Sequence, residues 1–188
     1  MSTYRPACVA ALGFALFLVT SWVQAQSSDP DQNLVARVAR NSGVKQCSAP
    51  LARMTALTLV GAKAHEVLFD LDRDQPDKMP FLSLIGMSLP VGGAVASVLA
   101  VPKEGGGCVI SAERFSAAPY TCDSIAEVEL KGYDVHTLLP GFKVYTSGAD
   151  PKSTVSLIES IPNCLVIRRY VDFNWKPADP NSAAPVVR

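Results

Sequence analysis

Three aspartates, Asp70, Asp72 and Asp74, alternate along the chain. Alternate carboxylates in a loop are how calcium-binding proteins surround this hard cation. The complete calcium loop also needs a glycine at its sixth position and a glutamate at its twelfth, where this chain has Gln75 and Phe81. We therefore interpret the stretch as a solvated turn and predict no bound metal, with the three aspartates as the only candidates for a site.

His65 and His136 are the only histidines, the residue type that most often serves as a general base. A nucleophilic serine in a Gly-x-Ser-x-Gly turn is missing from the sequence. The glycine run at 105–107 is followed by neither Lys-Ser nor Lys-Thr, so it does not match a phosphate-binding loop. We predict no catalytic residue and no cofactor, and we favour a protein that is not an enzyme.

Aromatic and basic side chains gather near the end of the last apolar run, at Arg168, Tyr170, Phe173 and Trp175. Arginine, tyrosine and tryptophan often dominate the energy of protein–protein contacts. Ordinary packing in a core and at its rim would use the same residues. We predict these four as a candidate binding surface. The neighbouring Arg169 alternates with apolar residues, which predicts a buried partner or a position on an edge strand.

Residues 1–25 have the layout of a secretory signal peptide. Arg5 gives a positive start, residues 9–19 form an apolar run, and residues 23–25 supply small side chains before a cleavage point at Gln26. The alternative is an uncleaved membrane anchor, but the run is shorter than the roughly 20 residues that a spanning helix needs. We predict cleavage and a periplasmic or secreted protein.

Four cysteines remain after that cleavage: Cys47, Cys108, Cys122 and Cys164. An even number in an exported chain favours disulfides, because the compartment outside the inner membrane is oxidising. A zinc site is disfavoured, since there is no Cys-x-x-Cys and both histidines lie far away in sequence. Three pairings are open. Proximity along the chain favours Cys108 with Cys122, which leaves Cys47 with Cys164.

The charges of the chain are balanced, with 17 basic and 17 acidic residues. Removing residues 1–25 takes away only Arg5, so the mature chain has 16 basic and 17 acidic residues and a formal charge of −1. Such a surface has no basic field for phosphates. This argues against a nucleic-acid partner. We expect a protein partner outside the cytoplasm, and we do not expect membrane contact.

The longest uncharged stretch covers residues 81–101, between Lys78 and Lys103. It is long enough to span a membrane. However, Pro90, Gly92 and Gly93 fall at its midpoint, and each half divides into two faces with a period of two. In the second half, one of these faces carries the larger side chains and the other the smaller ones. A spanning helix would also separate Cys47 from the other three cysteines. We therefore predict a buried β-hairpin with its turn at 90–93.

Other elements follow from the same periodicities. Alternation predicts strands at 66–71, 108–115, 142–146 and 164–173. A helix is predicted at about 30–42, beginning with Asp29 and Pro30 and ending at Gly43.

Four segments fit more than one structure. Residues 47–64 suit a helix or a strand, and we favour a strand at 55–60. We predict a short strand at 125–130 and connecting chain with a helical turn at 132–141. Residues 150–161 suit a short helix or a strand. We see no internal repeat.

We predict an α+β fold with an antiparallel sheet of five to seven strands, a central meander, an N-terminal helix packed on one face and two disulfides. A single domain would span residues 26–175, and a Pro- and Ala-rich tail at 176–188 would be disordered. The predicted function is an exported, non-enzymatic binding module, such as an inhibitor or protective protein. One alternative is an envelope structural or assembly component that contacts a membrane or a partner through its apolar hairpin. Another is an enzyme whose site the sequence does not reveal.

Overall fold

A computed structural model of the protein describes residues 33–176. The predicted signal peptide at 1–25 and the tail from residue 177 onward lie outside these residues. Three helices and eight strands are present in the described part, in the order α1 Leu34–Asn41, α2 Ser48–Thr58, β1 Ala64–Leu71, β2 Phe81–Ser88, β3 Gly93–Pro102, β4 Cys108–Ala118, α3 Cys122–Glu129, β5 Asp134–Leu139, β6 Phe142–Ser147, β7 Asp150–Ser160 and β8 Asn163–Trp175.

All eight strands belong to one antiparallel sheet with the order β1-β2-β3-β4-β8-β7-β6-β5. The predicted α+β class and the antiparallel sheet are confirmed, but the sheet has eight strands rather than five to seven. One extra strand is β5, which we had predicted as connecting chain. All six of its residues are exposed, so no alternation of apolar residues marks it in the sequence.

Helix α1 begins at Leu34 because the side chain of Asn33 accepts hydrogen bonds from the backbone N–H groups of Val35 and Ala36. It packs against α2, and α2 in turn contacts β3 and β4. The N-terminal helical pair therefore lies on one face of the sheet. The helix predicted at 30–42 is confirmed over 34–41, and its predicted start at Asp29 and Pro30 lies outside the described residues.

The strand predicted at 55–60 is wrong, because residues 48–58 form helix α2. Its buried side chains include Leu51, Met54, Thr55 and Thr58, which recur at the three- and four-residue spacing of a helix. The Thr58 hydroxyl donates to the backbone oxygen of Thr55, at 2.9 Å. Threonine is thereby accommodated in a buried helix despite its preference for strands.

The hairpin predicted in residues 81–101 is confirmed as β2 and β3. Their register pairs Phe81 with Ala100 and Ser88 with Gly93. Within β2, buried and exposed residues alternate without exception. Between residues 33 and 176 no helix is long and apolar enough to cross a membrane.

The strands predicted at 66–71, 108–115, 142–146 and 164–173 are confirmed as β1, β4, β6 and β8, and residues 150–160 form strand β7. The short strand predicted at 125–130 is wrong, because residues 122–129 form α3. This helix begins where the side chain of Thr121 accepts a hydrogen bond from the backbone N–H of Ser124.

Both disulfides join the start of a helix to the start of a strand. Cys47 pairs with Cys108, and Cys122 pairs with Cys164, with Cα–Cα distances of 5.8 and 5.0 Å. The predicted pairing of Cys108 with Cys122 is therefore wrong, and so is that of Cys47 with Cys164. Cys108 begins β4 and Cys122 follows the end of that strand, so an extended strand of about 30 Å separates two cysteines that are close in sequence.

The two halves of the sheet repeat one arrangement. In each half a helix is followed by four strands, and a disulfide joins the helix start to the start of the fourth strand. The fourth strands, β4 and β8, pair with each other at the centre of the sheet. An approximate two-fold axis therefore passes through the centre, perpendicular to the sheet, and both halves keep their helices on the same face.

Candidate binding face of the sheet

The two faces of the sheet differ in how they are covered. On one, the helix face, α1 and α2 cover the first four strands and α3 contacts β7 and β8. The buried residues of every central strand point to this side. No helix in residues 33–176 covers the opposite side, which we call the open face.

The open face is largely apolar. Its side chains alternate with the buried set along each strand, and they range from half-buried to exposed. The larger apolar members are Leu68, Leu82, Leu84, Val95, Leu99, Phe115, Ile158, Leu165, Ile167, Val171 and Phe173. Leu84 is 48% exposed, Val95 is 43% exposed and Phe173 is 67% exposed. Apolar side chains therefore occur on this face from Leu68 on β1 to Phe142 on β6, and the carboxylates of Glu66 and Asp70 share it at the β1 edge.

A single ion pair occupies the centre of the open face. Glu113 on β4 is the direct cross-strand partner of Arg169 on β8, and Arg169 Nε lies 3.1 Å from Glu113 Oε1. Both side chains remain accessible, with exposed fractions of 33% for Glu113 and 55% for Arg169. Arg169 thus has the partner that its apolar surroundings predicted, although the pair is neither buried nor on an edge strand.

A shallow groove of about 430 Å³ continues from this ion pair toward one end of β7 and β8. It is bordered by Thr154, Arg169, Val171 and Phe173 on the open face. Its end is polar, because Lys152, Asp172 and Asn174 also line it. Lys103 Nζ donates to the side-chain oxygen of Asn174 at 2.6 Å. The groove is open and presents both an aromatic ring and a guanidinium group.

The four residues predicted as a binding surface fall on different faces. Tyr170 and Trp175 are buried on the helix face, and Arg168 on the same face contacts Glu129 at the end of α3. Only Phe173 points to the open face. The structure therefore does not bring the four together, and a binding role for them as a group stays a prediction.

Tyr170 belongs to a polar network at the end of the helix face. Its hydroxyl donates to Asp172 Oδ2 at 3.4 Å, and the same oxygen accepts a hydrogen bond from Lys152 Nζ at 2.6 Å. Asp172 Oδ1 accepts from the backbone N–H of Asn174 at 2.9 Å. The network ties the ends of β7 and β8 together.

The network shifts the pKa values of Tyr170 and Asp172 in opposite directions. Burial, with the nearby charge of Asp172, raises the pKa of Tyr170 to about 12. Burial also acts to raise the pKa of Asp172, but the hydrogen bonds from Lys152, Asn174 and Tyr170 outweigh it, so this pKa lies below its usual value. The network is therefore built around a charged carboxylate and a neutral phenol.

Arg114 closes the carboxyl end of α2. Its Nη1 donates to the backbone oxygens of Thr58 and Val60, at 3.2 and 2.8 Å. Cations at this end of a helix bind carbonyl groups that have no partner within the helix. Burial, together with the positive charge of Arg168 on the next strand, lowers the pKa of Arg114. Arginine remains charged despite such a shift.

The residues considered for chemistry are dispersed. His65 lies on β1 and His136 on β5, at opposite edges of the sheet. Asp72 accepts hydrogen bonds from the backbone N–H groups of Asp74 and Gln75, which organises the turn after β1. Within the described residues, no three side chains of the histidine, cysteine, aspartate or glutamate type converge on a possible metal position.

Sequence reasoning did not identify the open face, although a signal for it was present. The hairpin residues are apolar at consecutive positions, for example Leu84 and Ile85 in β2 or Val98 and Leu99 in β3. Antiparallel strands that are apolar on both sides indicate a sheet with something packed on each face. The interpretation of the hairpin as buried uses this pattern only as a sign of burial on one face.

Comparisons of the chain with models of protein families, with curated proteins and with solved structures returned no match.

Proposed function

We propose that this protein is an exported, non-enzymatic binding module whose open face binds the surface of another protein molecule. The observation that supports this most directly is the apolar surface that crosses the sheet opposite the helices, with one ion pair at its centre. Proteins that act alone rarely expose broad continuous apolar patches, and such patches often mark interaction sites.

The composition of the open face suits a protein partner. Apolar side chains with a few charged groups and aromatic rings are typical of the cores of protein interfaces. The frame beneath it is rigid, because eight strands are joined largely by short turns and each half is closed by a disulfide. A preorganised surface binds with a smaller loss of conformational entropy.

Export is supported by two observations. The amino-terminal sequence has the layout of a signal peptide, and the four remaining cysteines form two disulfides. Disulfides are consistent with an oxidising compartment. The non-enzymatic reading draws on the separation of His65 and His136, because two edge strands on opposite sides of a sheet cannot contribute to one site.

The test is site-specific photo-crosslinking in intact cells. A photoreactive amino acid replaces Leu84 or Val95 on the open face, and the matched control carries it at Val128, which is 82% exposed on α3. We expect defined protein adducts from positions 84 and 95 and none from position 128. Equal adduct patterns at all three positions, or no adducts at all, would contradict the proposal.

A second candidate is an envelope component that touches a membrane through its hairpin, because Leu82 and Leu84 are both exposed on the open face. Membrane insertion would take the Glu113–Arg169 pair out of water without supplying an opposite charge, which is costly, whereas a protein partner can place opposite charges against the pair. Flotation with vesicles of phosphatidylethanolamine and phosphatidylglycerol decides between a protein-binding module and a membrane-contacting envelope component. Binding to vesicles that a Leu84→Asp substitution abolishes would favour this second candidate.

A further inference from the structure

We infer that the partner of the open face is a second copy of this chain, and that the two sheets pack face to face as a two-fold symmetric dimer. This inference rests on the proposed function, since it names the partner of the same surface. Three observations lead to it: the position of the central ion pair, the size of the face and the balanced charge of the chain.

The central ion pair lies on the approximate two-fold axis that relates the two halves of the sheet. Glu113 is the fifth residue after Cys108, and Arg169 is the fifth residue after Cys164. These cysteines occupy equivalent places, because each begins a fourth strand and joins it to a helix start. The equivalent positions 113 and 169 therefore face each other, one with an acid and the other with a base.

This placement makes the open face complementary to itself in one orientation. If a second copy is turned over about an axis parallel to the central strands, its Glu113 lies opposite Arg169 of the first copy, and the reverse holds as well. If it is turned about the in-plane axis perpendicular to the strands, like charges face each other. Opposite charges across an interface fix the orientation of a complex, because the like-charge arrangement is repelled.

The size of the face matches what a stable dimer needs. Neighbouring strands lie about 4.8 Å apart, so eight strands span about 34 Å, and six residues of a strand extend about 20 Å. The face therefore has a footprint of about 700 Å² on each copy, and a dimer would bury about 1,400 Å² in total. Specific protein–protein interfaces of standard size bury about 1,200–2,000 Å².

The overall charge does not oppose this association. The chain has equal numbers of basic and acidic residues, and the predicted mature form carries a formal charge of −1. Two copies therefore approach without long-range repulsion. Packing of two twisted sheets at about 10 Å is the usual arrangement of a β-sandwich, and it would remove the apolar residues of both open faces from water.

The test measures the mass of the processed, oxidised protein by sedimentation equilibrium up to about 100 µM, a range that covers typical weak homodimers. We expect a dimer. A Leu84→Asp substitution should weaken it at least about tenfold, because an unpaired charge would then lie within an apolar interface. The control Val128→Asp adds the same charge on the far side, and it should leave the dimer intact. Circular dichroism establishes that each variant is folded.

A charge-exchange experiment tests the orientation. In each copy, Glu113→Arg places two positive charges at the centre of the open face, and Arg169→Glu places two negative charges there. Two copies of the same variant would therefore repel each other, and each variant alone should be monomeric. Mixed together, the two variants should form a heterodimer. A mixture that stays monomeric, although wild type is dimeric, overturns the proposed arrangement.

Three further outcomes overturn the inference, and the first of them separates it from the proposed function. A wild-type protein that is monomeric throughout, but is photo-crosslinked from position 84 to a different protein, excludes the second copy and leaves the binding module standing. A dimer that Leu84→Asp does not weaken uses another surface. A monomer that gives no crosslinks from position 84 contradicts both proposals.

Discussion

Glu113 and Arg169 form a direct cross-strand ion pair, with 3.1 Å between Arg169 Nε and Glu113 Oε1, at the point where the two halves of the sheet meet. Both side chains are partly exposed. On the open face Ser97 and Thr154 flank the pair on the neighbouring strands, and Ile167 and Val171 lie beside Arg169 along β8. An ion pair in that setting is a poor source of folding stability but a good marker of orientation.

We predict that the pair itself contributes less than about 1 kcal/mol to the free energy of unfolding, since exposed ion pairs are screened by water and ordering them costs side-chain entropy. A double-mutant cycle of Glu113→Gln and Arg169→Gln, measured by urea unfolding of the monomer, gives the coupling energy. A coupling of several kcal/mol would show instead that the pair is a main element of the folded state.

Replacing Arg114 by methionine should lower the free energy of unfolding by about 1–3 kcal/mol, because the backbone oxygen of Thr58 at the end of α2 and that of Val60 just after it lose a charged donor. Urea unfolding measures the effect. The control is Arg73→Met in the exposed turn after β1, which should change stability little. Equal losses in both variants would mean that the contacts of Arg114 with α2 are energetically unimportant.

Stability should fall in acid partly through Asp172. Its folded pKa lies below the usual value of an aspartate, so its contribution is fully present above about pH 4 and is lost as the pH falls through the folded pKa. Asp172→Asn should reduce stability by about 1–3 kcal/mol at neutral pH and flatten the decline below pH 4. Asp74→Asn, in an exposed turn, is the matched control. An unchanged acid limb in Asp172→Asn would refute this assignment.

Tyr170 should ionise late in an alkaline titration followed by ultraviolet absorbance. Its pKa of about 12 exceeds that of a tyrosine in the unfolded chain, about 10, so the folded state loses the stability gained from this group between these two values. Tyr170→Phe should remove the late transition, whereas Tyr120→Phe on the exposed connection before α3 should retain it. A late transition that survives Tyr170→Phe belongs to another residue.

Thr55 and Thr58 in α2 are a matched pair for a test of buried hydroxyl groups. Both are fully buried, but the Thr58 hydroxyl donates to a backbone oxygen, and that of Thr55 has no hydrogen-bond partner within residues 33–176. Thr55→Val should therefore raise the free energy of unfolding by about 1 kcal/mol, and Thr58→Val should lower it by a similar amount. Thermal and urea unfolding measure both. Equal effects would contradict the assignment.

The sequence predicts the sheet well where burial is one-sided or where turn residues interrupt it. The hairpin in 81–101 is an example, because Pro90 and the glycines at 92 and 93 separate two alternating halves. Prediction fails at α2 and α3, where local alternation suggested strands. In α2 the core buries Leu51, Thr55 and Thr58, and this packing outweighs the preference of the threonines for strands.

The candidate site could be predicted only in part. That the hairpin is apolar on both sides is visible from consecutive residues such as Leu84 and Ile85. The ion pair cannot be predicted from the sequence, because it forms only when β8 lies beside β4 in the sheet. No local sequence pattern shows that these two strands are neighbours. The predicted disulfide pairing is wrong for the same reason. Distance along the chain favoured Cys108 with Cys122, but the extended β4 carries the chain from one end of the sheet to the other between them.

The disulfide pattern also determines what would hold the molecule together if its chain were cut. Each disulfide joins two cysteines of the same half, one disulfide in each half. Residues 119–121 connect β4 of the first half to α3 of the second. A protease that cleaved beside the exposed Tyr120 would leave two separate polypeptides. Between residues 33 and 176, the pairing of β4 with β8 and the hydrogen bonds from Lys103 to Phe173 and Asn174 would hold them together. The pairing predicted from the sequence would have tied those fragments together covalently. Each half is thus closed by its own disulfide, and between residues 33 and 176 the backbone at 119–121 is the only covalent connection from one half to the other.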